Sequence, residues 1–387
     1  MNASTSFPSS PLPVTSWSPG ADAPAGGLLR WTPNRFREAG EAMRDSPGPD
    51  LDDARRTFHR SLPGYAVTPM HDLPALAETL GVARVAVKDE SSRLGLPAFK
   101  MLGASWAVYR CLAELCPDRP EPTLQALAEC AAGLPPISLV TATDGNHGRA
   151  VARMAAYLGL PATVLIPDVV SPEAIDLVRS EGADVEVLPL TYDETVAEAA
   201  RRADQGTGGT TSLLVQDTSW PGYETVPRWI VDGYATLFDE AAEQLDGVPA
   251  LMVVPAGVGS LAHAAVLHCR RHPGWRAVTV EPDVAPCIAA SLAAGAAVST
   301  GTGETTMAGL NCGTPSTLAF PDLLSILEGG VWVTDDEAAE ATAALAERGI
   351  DAGACGSASL AALQHLAGAS ELTRDMTVLL LNTEATR

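Results

Sequence analysis

The chain has 387 residues, 46% hydrophobic and 19% charged, so it can bury a sizeable core and is too long for one small domain. Acidic side chains outnumber Lys and Arg by 47 to 25, a formal net charge of −22. That field repels nucleic acid and anionic membrane surfaces, so neither is an expected partner.

The N-terminal stretch MNASTSFPSSPLPVTSWSPGADAPAGG lacks the basic and apolar regions of a secretory signal. No apolar run reaches membrane-spanning length without Gly, Pro or charge. Cys111, Cys116, Cys130, Cys269, Cys287, Cys312 and Cys355 show neither a CxxC spacing nor a Cys/His cluster. The expectation is a cytoplasmic protein with mostly free, buried thiols and no metal ligands. Only two lysines occur, Lys88 and Lys100, so any amine chemistry has two candidates.

Residues 1–50, rich in Pro, Ser, Gly and Ala, read as a flexible arm, followed by a short helix from Asp50 that Pro63 and Gly64 end. Strands are then expected at 84–88, 138–141, 162–166, 184–188, 212–215, 250–254, 277–281, 331–334 and 376–381. Between them, helices are expected at 99–112, 147–158, 172–180, 194–203, 223–244, 261–271, 337–348 and 357–366. Short β-branched strands alternating with amphipathic helices predict an α/β chain of doubly wound parallel sheets. Ligands of such sheets bind where strand ends enter helices.

Five such junctions carry unusual residues. In KDESSRLGLPAFKMLGAS (88–105), Lys100 opens a helix after the apolar Pro97, Ala98 and Phe99. Taken alone it is a solvated lysine. Partly buried at a helix N-terminus, its amine would be favoured in the neutral form that attacks an aldehyde. In TATDGNHGRAVARMAAYLG (141–159), Asp144 and Gly145 can be a plain cap and turn. Asp144, Gly145, Asn146 and His147 together are dense for that, and the turn's N–H groups can hold an anion. In VVPAGVGSLAHA (253–264), Gly257, Val258, Gly259 and Ser260 resemble a phosphate cradle, although small residues also serve tight packing. In VQDTSWPGYETVP (215–227), Asp217, with Tyr223 near it, is either a helix cap or an acid/base or ammonium-binding carboxylate. In LLLNTEATR (379–387), Asn382 and Thr383 end the last strand and can hydrogen-bond a ring nitrogen. Together the five describe a cofactor with an aldehyde, a phosphate and a ring nitrogen.

In this order, with SLPGYAVTPM and TTMAGLNCG, these segments resemble the fold-type II pyridoxal 5′-phosphate (PLP) enzymes, the tryptophan synthase β-subunit-like family, over about residues 50–387. The TDGNHG and QDTxWxGYE forms resemble its diaminopropionate ammonia-lyase branch. The resemblance implies two doubly wound open-sheet domains with PLP in the cleft between them. It implies a large PLP-binding domain from 51–104 and 218–387, a small substrate-binding domain from 105–217, and a homodimer. It further implies that Lys100 carries PLP as a Schiff base, Phe99 flanks the ring and Asn146 bonds its phenolic oxygen. Gly257, Val258, Gly259 and Ser260 would cradle the phosphate, with Asn382 or Thr383 at the ring nitrogen. Asp144 and Asp217 would be the catalytic acid/base groups, with Gly145, His147 and Tyr223 also on the amino-acid substrate.

Departures lie at Asn382 and Ala385, where the family carries Ser and Gly, and at Asp351 and Thr314, where it carries Glu and an acidic residue. The resemblance also allows a Cys287–Cys312 disulfide or close thiol pair. The implied activity is elimination of ammonia from 2,3-diaminopropionate to pyruvate. The alternatives are dehydration or β-replacement of a serine- or threonine-type amino acid, or a non-catalytic PLP-binding protein.

Overall fold

The computed structural model describes residues 30–37, 49–143, 145–206 and 209–386. The first elements are β1 (Trp31–Pro33), α1 (Pro49–Ser61), β2 (Met70–Asp72), α2 (Pro74–Leu80), β3 (Arg84–Asp89) and α3 (Lys100–Ala113). There follow α4 (Leu124–Ala132), β4 (Ile137–Ala142), α5 (Asn146–Leu158), β5 (Ala162–Pro167), α6 (Pro172–Ser180), β6 (Asp184–Leu188), α7 (Tyr192–Gln205) and β7 (Thr211–Leu214). Then come α8 (Thr225–Gln244), β8 (Ala250–Pro255), α9 (Ser260–Arg271), β9 (Arg276–Pro282) and α10 (Cys287–Ala294). The last are α11 (Phe320–Ile326), β10 (Gly329–Val333), α12 (Asp335–Ala346), α13 (Ala354–Gly368) and β11 (Thr377–Asn382).

The chain packs as two units. Residues 49–66 and 93–236 form one, and 30–37, 67–92 and 237–386 form the other. Segments 51–66, 93–104 and 218–236, expected in the larger domain, thus fall with the smaller sheet.

The first unit holds a parallel sheet in the order β6-β5-β4-β7. Side chains alternate along its strands. Val140, Ala142 and Leu165 pack with Val196, Ala199 and Ala200 of α7, while Val164 and Ile166 pack with Ile175 and Val178 of α6. Both faces are covered, which is what favours near-continuous apolar strands over alternating ones. Two helix starts are fixed by side chains: Ser171 accepts from Ala174 N ahead of Pro172, and Thr191 with Glu194 forms a capping box.

The second unit holds a seven-stranded sheet in the order β1-β10-β9-β8-β11-β3-β2. Its five inner strands are parallel, and β1 and β2 run antiparallel at the edges. One face presents Val85, Val87, Leu251, Val253, Val278, Val280, Val378 and Leu380 to Ala338 and Ala341 of α12 and Ala358 and Ala362 of α13. The small residues of α12 and α13 let these helices lie close to a sheet of β-branched side chains.

Two sequence expectations are corrected here. The arm expected over 1–50 falls largely outside the described residues, but Trp31–Pro33 is an edge strand paired with β10. Asn34 fixes it: its N–H donates to Glu328 O and its Nδ2 to Leu324 O and Leu327 O. Arg30 adds an ion pair to Glu337 at 2.6 Å. Second, the thiols are mostly free, as expected, but not all of them are reduced. Cys116, just after α3, and Cys130, in the last turn of α4, form a disulfide with Cα atoms 6.2 Å apart. Cys287 and Cys312 are not joined. Burial pushes the Cys111 and Cys269 thiols up to about 12, away from reactivity. Among the described residues no helix is long and apolar enough to cross a membrane.

Candidate active site

In the first unit, strands β4 and β7 are parallel neighbours, with Val140 opposite Leu214. The segments that leave their C-terminal ends therefore emerge side by side. One carries Thr143 to His147 into α5, and the other carries Val215, Gln216 and Asp217. His147 Nε2 donates to Val215 O at 2.8 Å, which turns Nδ1 toward Asp217 Oδ2 at 3.9 Å.

Lys100, the first residue of α3, donates from Nζ to Asp217 Oδ2 at 2.8 Å. The carboxylate offsets the unfavourable field of the helix start at this amine. A quarter of the lysine side chain, 24%, remains exposed, against 8% for Asp217. Phe99 lies beside it, with Nζ 5.4 Å from the ring centroid, and Phe99 in turn packs on Tyr234 at 4.8 Å. Burial alone would push the Asp217 carboxyl up; the Lys100 and His147 charges outweigh it and hold Asp217 well below the usual carboxylate range.

Three further residues support the site. Gln216, fully buried, accepts from Ala142 N and Thr141 Oγ1 and turns its amide N–H toward Asp217 Oδ1 at 3.4 Å. It ties the two strand ends together and backs the carboxylate. Thr143 Oγ1 accepts from Gly145 N at 2.9 Å and Gly148 N at 3.1 Å, shaping the turn into α5. Trp220 stacks on Tyr223 at 4.4 Å. Tyr223 itself donates to Leu214 O and accepts from Gln216 N, both within 2.9 Å. Its hydroxyl buttresses the strand end. No signal marks Gln216 or Thr143 in the sequence beyond adjacency to the motif residues. Asp144 lies outside the described residues, and Asn146 starts α5, half-buried.

In the second unit, β8 and β11 are parallel neighbours, with Leu380 opposite Val253. Ala256 to Ser260 and Asn382 to Thr383 leave the same edge. Gly259 caps α9 at φ 98°, a left-handed conformation that favours glycine. A Cβ on Gly257 would stand 2.9 Å from Cys312 Sγ and 3.1 Å from Gly309 O. Val258 O accepts from Ser316 N at 2.8 Å, and Ser260 begins the helix, buried. This is a turn with two glycines and N–H groups at a helix N-terminus, suited to a phosphate.

Asn382 is fully buried. Its Nδ2 donates to Asp89 Oδ1 and Asp351 O, each at 2.8 Å, so flipping the amide would set oxygen against oxygen. Its Oδ1 has no hydrogen-bond partner among the described residues. That leaves one buried acceptor, and buried acceptors are as a rule satisfied. Thr383 is also buried. Asp351, one of the departures, bonds Thr386 N and Oγ1 through its carboxylate, and Thr314 pairs with Ser299. An amine, an anion cradle and an orphaned acceptor are the three features that PLP requires of a protein, so the residues fit that group.

Comparison with known proteins agrees. The family described as pyridoxal-phosphate dependent enzyme matches residues 62–384. The diaminopropionate ammonia-lyase of Salmonella typhimurium is 40% identical over 281 residues, 68% of each chain. The crystal structure of diaminopropionate ammonia lyase from Escherichia coli in complex with an aminoacrylate-PLP azomethine reaction intermediate superposes with a TM-score of 0.80 at 32% identity, covering 92% of this chain and 93% of that one. The same enzyme in complex with D-serine gives 0.79 at 31% identity and the same coverage. The fold is that of the fold-type II PLP enzymes.

Proposed function

The chain belongs to the pyridoxal-phosphate-dependent enzyme family, and from that premise we propose that it eliminates ammonia from 2,3-diaminopropionate to give pyruvate and a second ammonia. The observation that carries this reading is the buried Asp217 carboxylate 2.8 Å from Lys100 Nζ.

Lys100 would hold the cofactor aldehyde, with Phe99 beside the ring and Asn146 at its phenolic oxygen. The N–H groups of Gly257 to Ser260 would hold the phosphate. Asn382 Oδ1, able only to accept, fits a protonated ring nitrogen, with Thr383 as its neighbour. When bound, PLP holds the substrate amine and draws electrons from Cα.

Asp217 does the proton work. While the Lys100 ammonium sits on it, the carboxyl is held low and makes a weak base. Once that amine is engaged elsewhere, the ammonium no longer holds Asp217 down. Burial then pushes the carboxyl up toward the range in which it can take a proton and return it. His147 and Gln216 keep it aimed. A substrate with a cationic β-amino group also needs a carboxylate to bind it, which a serine or threonine hydroxyl does not. Asp144 would be the second such group, and two carboxylates would let the enzyme handle both enantiomers. Gly145 would contribute to the substrate's setting, and Tyr223 would fix the loop that carries Asp217. We place the enzyme in the cytoplasm as a homodimer.

The test is pyruvate release by PLP-loaded protein from D- and L-2,3-diaminopropionate, compared with L-serine and L-threonine. Faster release from diaminopropionate is expected. Release from the hydroxy amino acids alone would overturn the substrate and leave a dehydratase. No release at all, with cofactor still bound, would leave a β-replacement enzyme or a non-catalytic binder.

A further inference from the structure

We propose that Asp239, His268 and His272 form a binding site for a late first-row divalent cation of the zinc class. His268 and His272 are four residues apart at the end of α9, one helical turn. Asp239 comes from α8 in the same unit. One ligand atom from each residue lies within 4.8 Å of the other two.

The independent observation is at His268. Its side chain is fully buried, and among the described residues neither Nδ1 nor Nε2 has a hydrogen-bond partner. A neutral imidazole carries one donor and one acceptor, and leaving both unsatisfied in an interior is unusual. The ring is walled by Phe238 at 5.9 Å, Trp275 edge-on at 4.8 Å and the His272 ring at 4.1 Å. Phe238 offers no hydrogen-bonding group, and neither the stacked His272 ring nor the edge of Trp275 bonds a His268 nitrogen among the described residues, so a metal ion is the partner that suits the buried ring.

The chemistry of the donors selects the ion. Two imidazoles and one carboxylate suit zinc, nickel or copper and disfavour magnesium and calcium, which prefer oxygen. Metal bonds of about 2.0–2.2 Å place tetrahedral ligands about 3.4 Å apart, so the cluster must tighten. His272 is exposed and Asp239 half-buried, so both have room to turn. The Arg271 charge opposes a cation; the Asp239 carboxylate and the negative end of α9 favour it. A metal here would tie α8 to the far end of the helix that begins at the glycine cradle, a structural role separate from the elimination.

Tag-free, full-length protein is dialysed against micromolar zinc chloride, with magnesium chloride in parallel, and bound metal is counted per chain. Wild type should retain one zinc ion, should not retain magnesium, and should melt higher with zinc than after chelation. His272→Ala and Asp239→Asn change accessible residues and should fold, as circular dichroism checks; both should lose the bound zinc and the melting shift. No zinc retained by wild type, or equal retention by wild type and both variants, would overturn the site, the latter moving zinc to the thiols.

Discussion

The two lysines sit in different units and look alike by distance, yet their surroundings differ in kind. Lys88, on β3, donates to Glu240 Oε2 at 2.9 Å, Thr68 O at 2.8 Å and Gln244 Oε1 at 2.8 Å. An ammonium has three N–H donors, and all three are used. Its side chain is completely buried. Lys100 also has a carboxylate at 2.8 Å, but its side chain is 24% exposed and begins a helix at a strand-end loop. A saturated, sealed amine can only hold structure. An amine that keeps access to a ligand can exchange its partner. An ion pair therefore says little about role until access is weighed.

The largest effect should come from Lys100→Ala. Pyruvate release should vanish, and so should the visible absorbance of the protein-bound cofactor. Lys88→Met should keep that absorbance wherever the protein remains folded. The reverse pattern would break the comparison outright. Next is Asp217→Asn, which leaves the lysine in place and removes the proton carrier. Steady-state kinetics should show kcat lower by about 10²–10⁴-fold for the enantiomer it serves, the range seen for positioned acid/base groups. An unchanged kcat for both enantiomers would reduce Asp217 to a counter-ion.

Lys88→Met tests the other half. It takes the Lys88 ammonium away from the Glu240 carboxylate, which is 5% exposed. Removing one partner of a buried pair costs about 3–5 kcal/mol, to be read from urea unfolding. Combining it with Glu240→Gln should recover part of the loss, because no lone charge stays buried. If the single variant is as stable as wild type, the pair is not sealed.

Much of this was legible in the chain. The runs RVAVK and ALMVVP declare strands because both sheet faces are covered and every residue must be apolar or long enough to reach a partner. The helices over 172–180 and 194–203 were readable from their amphipathic pattern, and the structure caps them with Ser171 and Thr191. Helix α10, CIAASLAA, was not readable: Cys287 to Leu292 are all buried, so no polar face marks a period. Strand β1 was missed because three residues carry no alternation. Lys100 and Asp217 could each be singled out, but their pairing across 117 residues depends on how α3 packs with the β7 loop. The Cys116–Cys130 bridge spans 14 residues with no motif, and His268 with His272 gains meaning only when α8 brings Asp239 beside them. Long-range juxtaposition is what local pattern cannot encode.

The smallest effect sharpens the contrast from the side of Lys100. The folded Asp217 pKa is depressed, so its pairing stabilises the fold above the unfolded carboxyl's value, about 3.9. Below that, the unfolded chain takes up a proton that the folded carboxylate refuses, and stability falls until the folded group protonates as well. Asp217→Asn removes this linkage. Wild type should therefore exceed the variant by about 1.5–3 kcal/mol at neutral pH, the worth of a hydrogen bond to a charged group. The difference in urea unfolding should stay level down to about pH 4 and narrow below it. Subtracting the two proteins cancels the carboxylates they share. The gap should be smaller than the one for Lys88→Met, because the partly exposed Lys100 side chain can turn toward water when the Asp217 charge goes, whereas the buried Glu240 cannot. A gap for Asp217→Asn as large as that for Lys88→Met would mean that Lys100 is sealed too. It would then lack the access that separates a working amine from a structural one.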